Sequence, residues 1–421
     1  REDTDGDATL TDNDAVIEFE YDTVQLKTLV RRSDTTDGGA TFTYGGAPLV
    51  EIEDLKTLWN ARDQLASLTN LTTQRNYTDE VTPASGRHIL TAIDGNADGI
   101  AVSTDLLDFD TTNFPASGGA SNNFRYLGLD SVTGGQAPNI VNYIRGQEIT
   151  GLRSRSIDYD GDGTKEVWRL GDIIHSSPVA VSRPQDRYDL TYNDSTYSGY
   201  REQYFDRRTV IYAGANDGML HAFNGGFYST SEKKFRTSPN GSTGITDHPL
   251  GSEMWSYIPY NLLPHLRWLT EVEYPHVYYV DGIPQVFDVN IFTPSPTHPD
   301  GWGTILVVGL NFGGGQITFD PDSDTDGDTS DDIQSRSSYI VLDITDPEQA
   351  PKLVAEISHP EMGFSTSRPA LVKNRQPNTT SGTYASPAAN EWALVFGSGP
   401  IGSDATTRRI ALKDGVSNQQ A

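Results

Sequence analysis

Short apolar runs broken by polar, glycine-rich punctuation recur along this chain far more often than any sustained helical period. Residues 15–32, AVIEFEYDTVQLKTLVRR, alternate apolar and polar side chains and predict one or two strands. From residue 150 onward the reading is almost wholly β. The runs TVIYAGANDGMLHAFNGG, GTILVVGLNFGGGQITFD, SSYIVLDITDP and EWALVFGSGP share one grammar: four or five apolar residues, a glycine-containing turn, then often an alternating strand ending in Asp, Asn or Gly. Repeated hairpins of this kind fit propeller blades. Four or five such units recur between Ile173 and Phe396, and at about 40–50 residues per four-stranded blade the stretch 150–421 has room for about five or six. Polar insertions at 228–250, 293–301 and 374–390 stretch the spacing.

Two helices interrupt the β pattern. Glu51–Leu68 places Ile52, Leu55, Leu58, Trp59, Leu65 and Leu68 on one broad face with acidic residues in its first turn, the pattern of a helix that buries its stripe in a core. A second is expected from about Leu262 to Val272, with Leu262, Leu266 and Leu269 on one face and Pro264 in its first turn, capping or plugging the sheets. Residues 111–139 are rich in Gly, Ser, Asn and Pro and read as a long loop or linker. The expected organisation is an N-terminal segment, 1–150, packing on or feeding into a propeller at 151–421. The fold class is therefore all-β: a β-propeller with long loop insertions and a few short helices.

Composition narrows the function classes. Against 58 Asp and Glu stand 31 Lys and Arg, a formal charge of −27, which argues against nucleic acid or an anionic membrane surface as partner. The absence of cysteine excludes disulfides, thiolate metal sites and a Cys nucleophile. No run of about 18 apolar residues is present, so no membrane span is expected. With 40 Gly, 20 Tyr, 15 Phe and only 3 Met, the balance suits short strands and tight turns. The sequence opens at Arg1 inside an acidic tract, so an N-terminal part is expected to precede it.

The acidic residues are not spread evenly. DSDTDGDTSDD, Asp322–Asp332, sets Asp324, Asp326, Asp328 and Asp332 at positions one, three, five and nine, with Gly327 at four. Alternate residues of a turning loop face one side and glycine permits the bend, so several hard oxygens converge on a cation that takes six to eight ligands. Asp158, Asp160, Asp162 and Glu166 repeat the frame with Gly161 at four. Two looser relatives are Asp94, Asn96, Asp98 and Asp105, in a twelve-residue EF-hand-type register without flanking helices, and Asp3, Asp5 and Asp7, which Asp12 or Asp14 would close. A solvated acidic insertion is the alternative for each. The repeated spacing favours calcium.

Other chemistry finds less support. His175 and Ser176, as strand neighbours, would point apart rather than share a proton; a strand-end turn before Pro178 is the reading preferred, and no GxSxG elbow occurs. GLNFGGG, Gly309–Gly315, lacks the Lys-Ser/Thr and helix of a phosphate loop and reads as a turn. The eight His form no HExxH, and Trp255, Tyr257, Tyr260 and Trp268 read as core.

The ordered segments LWNARDQLA, GRHILTAID, VNYIRGQ, LGDIIHSSPVAV, VIYAGANDGMLHAFNGG, EMWSYIPYNLLPHL, HVYYVDG and YIVLDITDP, spread from about Asp54 to Gly399, resemble the PilY family of type IV pilus biogenesis factors and tip adhesins. GDIIHSSPV (Gly171–Val179) and AGANDGMLHAF (Ala213–Phe223) are the most specific pieces. The resemblance implies a modified, quinoprotein-dehydrogenase-like β-propeller, non-enzymatic, placed outside the cell at the pilus tip. It also implies minor pilins and a host or abiotic surface as partners. Calcium in a Dx(D/N)GDxxxD loop carries over onto Asp324, Asp326, Asp328 and Asp332. Family members commonly carry a von Willebrand-type domain ahead of the propeller, which this stretch of sequence does not show, and usually continue through the last propeller strands after VFGSGP, soon after which this sequence ends. The alternatives are a quinone-dependent dehydrogenase, whose usual vicinal disulfide has no counterpart here, and a calcium-dependent glycan- or matrix-binding module.

Overall fold

The computed structural model describes residues 2–4, 14–33, 49–95, 100–158, 163–229, 234–239, 245–319, 332–375 and 390–400. The alternating stretch at 15–32 forms a hairpin of β1 (Val16–Asp22) and β2 (Lys27–Ser33), in register from Val16↔Ser33 to Asp22↔Lys27. Its turn is built by Asp22, whose Oδ1 accepts from the backbone N–H groups of Val24 and Gln25, the local bond that makes Asp a turn former.

The segment 51–68 departs from the single helix its periodicity predicts. A 3-10 turn spans Ile52–Asp54, an extended stretch follows, and α1 covers only Ala61–Ala66. Three tertiary contacts outweigh local propensity. The Lys56 N–H donates to Glu2 and its carbonyl accepts from Asp3 N–H, which draws the chain out as an extended tie. Trp59 packs over Gly251, where a Cβ would sit 2.5 Å from the indole and where φ is +74°. Asn60 then caps α1 by accepting from Arg62 N–H.

Next come β3 (Ile89–Ala92), β4 (Ile100–Ala101), β5 (Leu106–Asp108) and α2 (Ala137–Ile144). Residues 111–139 carry no strand, in keeping with their composition, yet they are packed: Phe114, Phe124, Leu127 and Leu129 are buried and two 3-10 turns organise them. The chain continues through β6 (Ser156–Ile157), β7 (Glu166–Val167), β8 (Val179–Val181), α3 (Tyr188–Thr191) and α4 (Ser195–Gln203). Then follow β9 (Thr209–Gly214), β10 (Leu220–Ser229), β11 (Lys234–Arg236) and β12 (Glu253–Tyr257). The rest is β13 (Gln285–Asn290), β14 (Trp302–Gly309), β15 (Ile317–Phe319), β16 (Ile333–Ser335), β17 (Tyr339–Asp343), β18 (Lys352–Ile357), β19 (Ala370–Arg375) and β20 (Asn390–Val395).

Two large sheets dominate. One has the order β5-β3-β12-β10-β9-β8, with β11 also on β10 and a single parallel pair, β12 with β3. The other, β13-β14-β17-β18-β4, is antiparallel throughout. Strands from the first 110 residues thus complete both sheets. β14 is buried on both faces, which is why TILVV reads as a continuous apolar run rather than an alternation. Leu306 and Val308 join the main core while Ile305 and Val307 join a second cluster on the other face.

The main core includes Leu220 and Trp255 of one sheet, Leu306 and Ile340 of the other, and Leu262, Leu266 and Leu269. Those last three lie on the expected helix, which is a buried 3-10 stretch, Tyr260–Thr270, with Pro264 inside it. Proline lacks the N–H of an α-helical ladder, and the 3-10 form is what the stretch adopts. Trp255, Tyr257, Tyr260 and Trp268 are all buried, as core residues.

Candidate functional site

The two acidic tracts that share the one, three, five, nine frame each join a pair of antiparallel strands. Phe319 pairs with Ile333, so the tract after β15 is the loop of the β15–β16 hairpin, with Asp332 directly before β16. The sequence places this tract on a connection between two blade strands; the structure gives it its own hairpin ahead of β17. Asp324, Asp326 and Asp328 lie outside the described residues. In the second tract Ile157 pairs with Glu166, which brings the first and ninth positions, Asp158 and Glu166, to the base of the β6–β7 hairpin. Asp158 Oδ2 accepts from Gly163 N–H at 3.1 Å, folding position one back onto position six. Glu166 Oε2 is buried and has no hydrogen-bond partner among the described residues. An unpaired buried carboxylate oxygen calls for a donor or a cation. Asp160 and Asp162 are outside the described residues.

The two looser tracts are placed differently. Ala92 pairs with Leu106, so the Asp94–Asp105 loop is flanked by strands β3 and β5 rather than by EF-hand helices. Asp105 Oδ2 accepts from Val102 N–H at 2.8 Å, closing a 3-10 turn. Asp94 is buried, while Asn96 and Asp98 are not among the described residues. Asp3 and Asp14 are buried, and Asp14 Oδ1 accepts from Thr4 N–H at 2.8 Å, joining the two ends of that tract; Asp5, Asp7 and Asp12 lie outside the described residues. Among the described residues no group of three or more His, Asp or Glu forms a ready cation cage.

A buried charge network joins the segments that carry the family resemblance. Arg87, at the entry to β3, makes a bidentate pair with Glu253 of β12: Nε to Oε2 at 2.7 Å and Nη2 to Oε1 at 2.8 Å. His221 of β10 faces Glu253 Oε1 at 2.7 Å through Nδ1 and Asp217 at 3.1 Å through Nε2. Asp217 Oδ2 in turn accepts from Gly171 N–H at 2.8 Å, the first residue of GDIIHSSPV. Burial opposes a charge on His221, but Asp217 and Glu253 outweigh it and raise its pKa to about 9. Glu253 is likewise buried against its charge, and Arg87 and His221 hold its pKa well below the ordinary carboxylate range. The array is thus two cations alternating with two anions, fixed at neutral pH.

A second tie holds the same segment. His175 Nδ1 lies 2.6 Å from Asp281 Oδ2, which also accepts from Asn311 Nδ2 in the GLNFGGG turn. Ser176 Oγ instead accepts from Gly214 N–H at the end of β9. His175 and Ser176 lie at a bend ahead of β8 rather than in a strand, and their side chains go to different partners, Asp281 and the Gly214 N–H. Arg87, Asp217, His221 and Glu253 escaped sequence reasoning, although each is a titratable residue within or beside an apolar run, GRHILTA, ANDGMLHAF or EMWSY, and that mismatch is itself a signal of paired burial.

Comparison with known proteins bears on these segments. A family model described as the PilY1 beta-propeller domain matches residues 170–413. A type IV pilus biogenesis factor PilY1 homolog of Xylella fastidiosa is 27% identical over 270 residues, covering 62% of this chain and 16% of that protein. The type IV pilus biogenesis factor PilY1 of Pseudomonas aeruginosa is 28% identical over 242 residues, 55% of this chain and 15% of its own length. The chain therefore spans about one sixth of these relatives or less. The crystal structure of the Pseudomonas aeruginosa PilY1 C-terminal domain covers 52% of this chain and 31% of that one at 24% identity, with a TM-score of 0.29, too low an overlap to bear on strand arrangement.

Proposed function

This chain belongs to the PilY1 β-propeller domain family, and from that membership we propose that it is the propeller portion of a calcium-binding, non-enzymatic type IV pilus biogenesis factor. The observation that carries the reading is that the matched region contains the segments tied by the Asp217–His221–Glu253 network, so the family's most specific motifs serve a structural junction. A junction of buried, mutually satisfied charges fixes strands and offers no nucleophile. Its place is outside the cell at the pilus tip, where it acts on pilus extension and retraction and on attachment. Minor pilins and a host or abiotic surface are the partners. No helix among the described residues is long and apolar enough to cross a membrane.

Calcium enters this reading as an ordering ligand of the acidic hairpins. At the β6–β7 hairpin Asp158 and Glu166 would hold the ion, with Asp160 and Asp162 completing the frame; the buried, unpaired Glu166 Oε2 supports a cation there. Asp324, Asp326, Asp328 and Asp332 would serve the β15–β16 hairpin in the same way. Bound calcium neutralises the mutual repulsion of such a loop, and extracellular loops of this type bind at about 0.1–1 mM, so occupancy would follow the surrounding medium. Immunogold labelling of intact pili with an antibody to this region tests the placement. Label concentrated at pilus ends is the expected result, and label absent from the ends of pili on cells that make the protein overturns the tip assignment.

A further inference from the structure

Beside the β6–β7 hairpin a cleft of about 240 Å³ opens between Tyr143 of α2, residues 153–157, residues 168–172, Asn216 and Tyr274. In a chain of charge −27 its lining is unusual, with three arginines, Arg153, Arg155 and Arg169, against Asp172 and Asp217. Asp217 is committed to His221, and Arg155 to Glu148 at 3.3 Å. Arg169 donates Nε to the Gly146 carbonyl and Nη1 to the carbonyls of Leu65 and Ala66, and its Nη2 has no hydrogen-bond partner among the described residues.

Two further sets of donors remain unmatched among the described residues. Arg153 lies with its guanidinium carbon 4.4 Å over the Tyr274 ring and donates Nε to Tyr143 Oη at 3.2 Å, while its two terminal nitrogens have no hydrogen-bond partner among the described residues. Asn216 is 4% exposed; its Oδ1 accepts from Tyr279 N–H at 2.9 Å, which sets the amide orientation, and its buried Nδ2 has no partner among the described residues. A buried donor left unpaired is costly, and an oxyanion satisfies it. The other lining groups ask for something different. Trp168, 37% exposed, carries the Arg62 guanidinium carbon 4.9 Å over its ring and still lines the cleft, and the exposed Asp172 carboxylate, bonded on one side to His276, offers an acceptor for hydroxyl groups.

We propose that this cleft binds one acidic sugar residue of the uronic-acid type. Its carboxylate pairs with the Arg153 fork and Asn216 Nδ2, its ring lies against Trp168, and its hydroxyls donate to Asp172. A bare carboxylate would meet Asp172 without a hydroxyl to offer it, and a neutral sugar would leave the Arg153 fork unpaired. The cleft volume suits a single ring rather than a longer ligand, since sites for drug-sized molecules start near 300 Å³.

The test is a calorimetric or NMR titration of the whole chain with D-glucuronate and D-galacturonate, against D-glucose and D-galactose, which differ from them at C6 alone, and against glutamate as a carboxylate without a ring. Saturable uronate binding is expected, roughly tenfold or more tighter than the neutral sugars, as loss of a charge-assisted hydrogen bond implies. Arg153→Gln should erase that difference, and raising NaCl should weaken uronate binding on the unaltered protein while leaving the neutral sugars unaffected. Uronates binding no tighter than their neutral counterparts, or insensitive to both salt and Arg153→Gln, would overturn the proposal. Glutamate binding as tightly as the uronates would overturn the sugar assignment.

Discussion

Replacing Glu253 by Gln removes the anion that Arg87 and His221 share while keeping side-chain volume. Arg87 loses the charge behind its two bonds of 2.7 and 2.8 Å, and His221 loses the charge behind its 2.7 Å contact. Both are fully enclosed, with Arg87 3% and His221 0% exposed, so water cannot take over. Breaking a buried pair from one side costs about 3–5 kcal/mol because an uncompensated charge stays inside. The same substitution changes the pH response. Since the folded pKa of His221 is raised from 6.5 to about 9, its contribution is fully present below pH 6.5 and is lost as pH rises through 9. That interval corresponds to roughly 3 kcal/mol at about 1.4 kcal/mol per pH unit. Urea unfolding at pH 6, 7.5, 9 and 10 reads both effects: Glu253→Gln should lower stability most at pH 6 and flatten the decline above pH 7. A loss below about 1 kcal/mol at pH 6, or an unchanged alkaline decline, would refute the view that this network bears on the fold.

Further outcomes follow from other packing details. The Lys373 ammonium sits 4.9 Å from the Trp392 ring centroid, 5.0 Å from Tyr192, 5.4 Å from Trp302 and 5.6 Å from Tyr188. Lys373→Met should therefore loosen the β19–β20 hairpin by about 2 kcal/mol, seen as faster amide hydrogen exchange at 390–395. A Cβ on Gly214 would lie 2.3 Å from the Val280 carbonyl oxygen, so Gly214→Ala should cost about 1–3 kcal/mol in thermal unfolding. Burial lowers the pKa of His265 to about 4, despite the 2.7 Å contact of its Nε2 with the Gly315 carbonyl. Its ring should titrate near pH 4 by NMR, and because the unfolded chain binds this proton first, stability should fall as pH drops from 6.5 towards 4.

The repeated apolar runs were the most legible part of the fold. TILVV and YIVLD are buried central strands because their neighbours cover both faces, and such runs announce themselves without context. The helix at 51–68 misled because its period is real, yet Lys56 is drawn into pairing with Glu2 and Asp3, residues whose arrival no local pattern records. α4 was missed for the opposite reason. STYSGYREQ carries little aliphatic periodicity and buries Tyr197 and Tyr200, whose hydroxyls reach Asp288 and Thr304 across the sheet. For the site, spacing singled out Asp158 and Glu166 as positions one and nine of an acidic frame, and the β6–β7 pairing sets both at one hairpin base, a placement that the spacing alone did not record. The Arg87–Glu253–His221–Asp217 array joins residues up to 166 positions apart, and only the folded sheet brings them together.

The claim that the acidic hairpins are calcium loops ordering this propeller is tested most directly by thermal unfolding in 10 mM calcium and in excess EGTA. At a dissociation constant of about 0.1–1 mM, each occupied loop should add about 1.4–2.7 kcal/mol. The account predicts a higher melting temperature in calcium, reduced in Asp324→Ala/Asp328→Ala and reduced again when Asp158→Ala is added. Identical melting in calcium and in EGTA would contradict it.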